Sequence, residues 1–151
     1  MTTALRKMRW FDVAPAAVIE RELFGDEAWT DAMLWSELAE RETRHYLAAD
    51  DAEGLVGYAG LCAYDADEAY VQTIAVAGRG QRHGIGTRLL LALLDEAARR
   101  NSRRVDLEVR ADNDVAQRLY AKHGFREIGV RRNYYQPSGT DAVVMRCEVG
   151  R

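Results

Sequence analysis

Cysteine is scarce in this chain: Cys62 and Cys147 are its only two, they lie far apart, and neither has metal-like spacing to the three histidines. Both read as small buried hydrophobes in a reducing compartment, which excludes a disulfide-stapled secreted scaffold. Long apolar runs are missing too. No stretch approaches the ~18 consecutive apolar residues of a membrane span, and the N-terminus carries no such run, so a cytoplasmic protein with no membrane partner is expected. The net charge of −3 gives no global pull toward nucleic acid. With two prolines, no repeat and no low-complexity tract there is no interdomain linker, so residues 1–151 are expected to form one domain. A content of 48% hydrophobic residues suffices for a proper core.

What is present is charge of uneven distribution and one unusual turn. Positions 20 to 53 are mostly acidic, whereas positions 79 to 104 hold seven arginines. Solvated helix faces explain most of these charges; a basic wall for an anionic cofactor and an acidic wall for a cationic substrate is the functional alternative.

Ile74-Ala75-Val76 runs into a Gly- and Arg-rich turn and out into a helix starting near Gly84. Ile85, Leu89, Leu93 and Ala97 recur at helical spacing with Leu90 and Leu94 beside them, which makes the helix amphipathic. Its first turn holds no acidic residue. Glycines at positions 84 and 86 let free N–H groups approach a ligand, and the helix dipole adds positive potential for a phosphate. Neither the G-x-G-x-x-G order of a dinucleotide turn nor the Gly-Lys-Ser/Thr of an NTPase loop occurs here. For an isolated G-x-G, a connection that binds nothing is the competing reading.

The rest of the chain alternates between the two periodicities. Leu5 to Phe11 reads as a strand, and Ala14-Pro15 starts a helix with Val18, Ile19, Leu23 and Phe24 as its apolar rhythm. Thr30 or Asp31 caps a second helix carrying Leu34, Trp35 and Leu38, and Trp29 and Trp35 are expected to pack. Three strands, His45 to Ala49, Leu55 to Tyr64 and Ala69 to Val76, are separated by acidic turns at 50–54 and 65–68, which predicts an antiparallel meander. Val105, Leu107 and Val109 alternate with Asp106 and Glu108 along a strand that follows a helix and should run parallel to the strand before it. Asp112 or Asn113 caps a helix carrying Ala116, Leu119, Tyr120 and His123, which Gly124 ends. Phe125 to Val130 and Ala142 to Glu148 read as strands joined by an aromatic and basic loop, Arg131 to Thr140.

The string Gln81-Arg82-His83-Gly84-Ile85-Gly86, directly after the Ile74-Ala75-Val76 strand, resembles the acetyl-CoA pyrophosphate loop of the GCN5-related N-acetyltransferases (GNAT). Asn113, Ala116, Leu119-Tyr120 and Gly124-Phe125 reproduce the second half of that signature at the expected distance. Leu107 to Asn113 and Arg131-Arg132-Asn133-Tyr134-Tyr135 are similar to the RimI branch, which acetylates the N-terminal alanine of a small-subunit ribosomal protein. Asp112 departs from the pattern where Ser is common, and the segment around Trp29 matches least.

The resemblance implies an α/β fold whose central mixed sheet, flanked by helices, is splayed between the cofactor strand and the Glu108 strand. It implies acetyl-CoA as co-substrate without a metal, and as partner the N-terminal segment of a ribosomal or other protein. It assigns Glu108 as base and Tyr120 as acid, with Ile74, Ala75, Val76, Arg82, His83, Gly84, Ile85, Gly86, Thr87 and Asn113 on the cofactor, and backbone N–H near Val76 for the oxyanion. Arg131, Asn133, Tyr134 and Tyr135 are assigned to the peptide.

The residues support part of this independently. An amine attacking a thioester must lose its proton to a nearby base, and Glu108 lies near the C-terminal end of a parallel strand, where open sheets bind ligands. Asp106 on the same face is its rival and Glu68 a weaker one. Core packing is the alternative for Leu119 and Tyr120, and a plain helix cap for Asn113. At the level of function, a small-molecule amine acetyltransferase and a catalytically silent acetyl-CoA-binding module are the competing readings.

Overall fold

Period-two apolar runs pair into a sheet, and the runs of helical period cover it. In the computed structural model, which describes residues 2–64 and 66–149, the order is β1 (Ala4–Lys7), α1 (Val13–Phe24), α2 (Asp31–Ala39), β2 (Arg44–Asp51), β3 (Gly54–Cys62), β4 (Glu68–Val76), α3 (Ile85–Arg99), β5 (Arg104–Arg110), α4 (Asp114–Lys122), β6 (Arg126–Tyr135) and β7 (Thr140–Glu148). Asp65 of the expected acidic turn, and Met1, Gly150 and Arg151 of the expected domain, lie outside the described residues.

The strands form one seven-stranded mixed sheet in the order β1-β2-β3-β4-β5-β7-β6. β1 to β4 make the antiparallel meander the acidic turns predict. β4 and β5 are parallel, as a strand–helix–strand unit requires, but they pair only at Glu68/Arg104, Ala69/Val105 and Tyr70/Asp106. Beyond that point β4 runs on to Val76 and β5 to Arg110 without pairing to each other, so the sheet opens into a V. β5 stays fully paired on its other side, with β7. The α3 stripe, Ile85, Leu89, Leu90, Leu93 and Ala97, is buried as its spacing predicts and packs over β3 and β4.

Four expectations need correction, and one alternative left open, a free basic wall, is not met. The first strand stops at Lys7, and Trp10–Asp12 forms a 3-10 turn, because buried Asp12 accepts both the Arg6 guanidinium and the Arg9 N–H at 2.8 Å and folds the chain back on itself. In α1 the buried residues are Val13, Ala16, Ala17, Ile19 and Glu20, while Val18 faces solvent. Trp29 packs against the core but Trp35 is 48% exposed. Arg131 to Tyr135 continues β6 instead of forming a loop: Tyr135 pairs with Thr140, and Asn133, at φ 55, takes up the irregularity while its N–H donates to Asp141 Oδ1 at 2.9 Å. Finally, most arginines of the basic segment are held in ion pairs, Arg79 with Asp51, Arg99 and Arg100 with Glu96, and Arg104 with Glu68, so they do not form a free basic wall.

Cys62 and Cys147 are free and buried. Among the described residues, no helix is long and apolar enough to cross a membrane.

Candidate active site

The opening between β4 and β5 leaves backbone groups without ladder partners. The Ala77 N–H donates to Val56 O of β3 at 2.8 Å. Alternation along an antiparallel strand therefore turns the Ile74 and Val76 N–H groups the other way, toward β5, where the pairing has stopped. On that side the Val76 carbonyl accepts from Gln81 Nε2 at 3.1 Å.

A cleft of about 150 Å³ occupies the V, and Ile74, Glu108, Asn113, Tyr120 and Tyr135 all line it. Residues that the sequence pattern selected from four elements thus converge on one space. Glu108 Oε2 accepts the Tyr70 hydroxyl at 2.7 Å and Arg131 Nε at 3.0 Å. Its rival Asp106 is held by both Nε and Nη2 of Arg146, at 2.7 and 2.9 Å, and does not line the cleft. Glu68 sits at the far, still-paired start of β4 and bonds Arg104.

Tyr120, on α4, is 8% exposed, and burial pushes its hydroxyl pKa up to about 12. Its ring packs on Phe125. Gly124, at φ 95, ends the helix in the left-handed conformation the sequence predicts. Asn113 does cap α4, its Oδ1 accepting the Ala116 N–H at 3.1 Å, and it also borders the cleft.

The start of α3 has the expected form of a cradle. Gly84 is its N-cap at φ 76, the first turn contains no acidic residue, and no side chain caps it. The first helical bond runs from Arg88 N–H to Gly84 O, so the N–H groups of Ile85, Gly86 and Thr87 have no intrahelical acceptor. Arg82, at φ 70, is also left-handed, and Arg82 and His83 are exposed. The Ile85 and Ala75 side chains are buried, which leaves their backbone as what they can offer a ligand. A Cβ on Gly86 would meet Leu119 Cδ2 at 3.8 Å and Val76 Cγ2 at 3.9 Å, which places this glycine between α4 and the end of β4.

Of the β6 residues, Arg131 reaches Glu108, and Tyr135 lines the cleft with Arg110 stacked 5.2 Å from its ring centre. Tyr134 meets Tyr135 edge-on at 5.0 Å; burial raises its hydroxyl pKa and the Glu108 charge adds to that. Asn133 does not line the cleft.

Three contributors went unread in the sequence. Tyr70 is the partner of Glu108, with a pKa pushed up to about 12 by burial and by that bond. Glu20 lines the cleft from α1; a glutamate inside an apolar stripe was the available signal. Glu27 joins Arg110 and the Ser138 N–H, tying the α1–α2 connection to the β6–β7 turn. Among the described residues no group of three or more His, Cys, Asp or Glu is placed to hold a metal ion.

Comparison with known proteins gives the family and the fold. Residues 9–125 match the acetyltransferase (GNAT) family. The N-alpha-acetyltransferase RimI of Mycobacterium tuberculosis is 43% identical over 143 residues, covering 92% of this chain and 88% of that protein. The [ribosomal protein bS18]-alanine N-acetyltransferase of Salmonella typhimurium is 37% identical over 123 residues, covering 80% and 81%. The crystal structure of the ribosomal-protein-S18-alanine N-acetyltransferase from Escherichia coli superposes with a TM-score of 0.87 at 30% identity, covering 99% of this chain and 96% of that one. The chain belongs to the GNAT acetyltransferase family, among its RimI-like N-acetyltransferases.

Proposed function

We propose that this protein transfers the acetyl group of acetyl-CoA to the N-terminal α-amine of a protein, with an alanine-starting ribosomal protein as the foremost acceptor. The observation that carries the reading is the convergence of Glu108 and Tyr120 on one cleft, beside unpaired N–H groups of both β4 and α3. The names of the relatives support the acceptor class.

The cofactor's phosphates lie at the N–H groups of Ile85, Gly86 and Thr87, with Arg82, His83 and Gly84 forming the turn around them. Asn113 borders the pantetheine side, and the acetyl group extends along Ile74, Ala75 and Val76. Arg131, Asn133, Tyr134 and Tyr135 present the acceptor peptide. Glu108 takes a proton from the acceptor ammonium. The freed nitrogen forms a bond to the thioester carbonyl carbon, and the Val76 N–H meets the developing oxyanion. As the C–S bond breaks, Tyr120 gives its proton to the departing sulfur, the surplus proton on the acylated nitrogen passes to the Tyr120 phenolate so that the amide is neutral, and Glu108 releases its proton to solvent. Asp106, already committed to Arg146, takes no part.

An α-amine has a pKa of ~7.7–8.0 against ~10.4 for lysine, so at neutral pH roughly a tenth of α-amines are free and under a thousandth of lysines. A single carboxylate base therefore suffices. A ribosomal acceptor places the protein in the cytoplasm, and no metal, membrane or nucleic acid is part of the scheme. The test is thioester consumption with a panel of short peptides differing in their first residue. Alanine-starting peptides should turn over fastest; transfer to small amines but to no peptide would select the small-molecule reading.

A further inference from the structure

Three glutamates line the cleft, and two of them face a cation: Glu108 has Arg131 and Glu27 has Arg110. Glu20 has none. It is 1% exposed, and its bonds all come from neutral groups: the Tyr58 hydroxyl at 2.5 Å, the Trp29 N–H at 2.9 Å and, more weakly, the Thr73 hydroxyl at 3.5 Å. These donors belong to β3, the α1–α2 connection and β4. Burial of a carboxylate without a counter-charge is unfavourable, and it raises the Glu20 pKa. An apolar residue would complete the α1 stripe without that cost, so the carboxylate is doing something an apolar side chain could not. What an apolar side chain could not provide is the acceptor for the Trp29 N–H, and Trp29 lines the cleft with Phe24.

We propose that Glu20 is a positioning residue that clamps the Trp29 segment to β3 and β4, and thereby fixes the cleft wall that limits the acceptor's first side chain. The inference rests on the reading that this cleft receives the acceptor's N-terminal residue. It does not give Glu20 a part in proton transfer, because its oxygens are already enclosed by donors. The clamp works through hydrogen bonds rather than charge, so a neutral side chain of the same shape with an acceptor oxygen can replace it.

The test compares Glu20→Met, which keeps the volume and removes the acceptor oxygens, with Glu20→Gln, which keeps an acceptor for Trp29. Two quantities are read in the full-length protein: amide hydrogen exchange at Trp29, and the kcat/KM ratio for alanine-starting over leucine-starting peptides. The methionine variant should exchange the Trp29 amide about tenfold faster or more and lose about tenfold of the ratio, with acetyl-CoA affinity unchanged. The glutamine variant should stay close to wild type in both. If the methionine variant does not fold, Tyr58→Phe replaces it, since removal of the shortest bond should loosen the same segment and shift both quantities in the same direction. A folded variant with the Trp29 amide still protected and the ratio unchanged overturns the proposal. Wild-type protein that accepts no N-terminal peptide contradicts the acceptor reading instead, and the exchange data then judge the clamp alone.

Discussion

Tyr70 donates its hydroxyl proton to Glu108 Oε2 over 2.7 Å, from the last residue of β4 that still pairs with β5. The bond spans the vertex of the V, so the carboxylate is held where the two strands begin to part. Arg131 approaches the same oxygen from β6. Glu108→Gln should lower turnover by ~10²–10⁴-fold, most severely at low pH where free amine is scarce. Tyr70→Phe should cost less, about tenfold, because it loosens the carboxylate without removing it. Asp106→Asn should leave turnover near wild type and lower the melting temperature, since Arg146 loses its ionic partner. A pH–rate series on the three variants checks this; wild-type turnover in Glu108→Gln with loss in Asp106→Asn would move the base role to Asp106.

Tyr120 separates chemistry from stability. Among the described residues its hydroxyl has no hydrogen-bond partner, so Tyr120→Phe should barely change the melting temperature or acetyl-CoA affinity while reducing turnover by ~10²-fold or more. The sign of its pH dependence follows from burial, which holds the pKa at about 12. The protonated, donating form persists throughout the neutral range, and no tyrosine-linked decline in rate should appear below about pH 11. Thiol release followed against pH for both proteins provides the measurement.

Gly86 tests the cradle with little disturbance of the fold. It lies inside α3, and a Cβ there has ordinary room against Leu119 and Val76. Gly86→Val should therefore fold, yet lower acetyl-CoA affinity by about tenfold or more, because the added methyls occupy the approach to the free N–H groups. Calorimetry on the folded variant reads this directly, and unchanged affinity would remove the cradle assignment. Gly84→Val is the harsher change, since φ 76 is unfavourable for a β-branched residue.

Glu20 makes stability pH-dependent in the direction opposite to an ion-paired carboxylate. Burial raises its folded-state pKa above the ordinary 4.5, so over that interval the folded protein binds the proton more tightly than the unfolded chain does. Stability from this group is therefore greatest below about pH 4.5 and falls as pH rises through the folded-state pKa. Glu20→Gln removes the dependence. Its melting temperature relative to wild type should rise with pH, with no gain at the acid end. A constant difference across the series would contradict the sign.

The parts of the fold that local periodicity dictates were legible: the β2–β3–β4 meander, the α3 stripe, the Asn113 cap and the Gly124 stop all depend on neighbours within a turn or a strand. The motif spaces Glu108 and Tyr120, and the fold brings both to one cleft; their roles as base and acid are what the proposed variants test. The strand character of Arg131 to Tyr135 was not, because these residues are mostly exposed and show no alternation; their conformation is imposed by β7. Trp10 and Phe11 read as apolar strand residues, but Asp12 with Arg6 and Arg9 turns the chain and leaves both rings exposed. The pairs Tyr70–Glu108 and Glu27–Arg110 join residues far apart in sequence, and only the tertiary fold brings them together.

The central claim is that the acceptor is an N-terminal α-amine. The most direct measurement offers the enzyme and acetyl-CoA one alanine-starting peptide with an internal lysine, alongside the same peptide with its N-terminus blocked, and locates the acetyl group by mass spectrometry. Acetylation should fall on the free α-amine, with little or no transfer to the blocked copy. Efficient lysine acetylation of the blocked peptide, with little transfer to the free N-terminus, would contradict it.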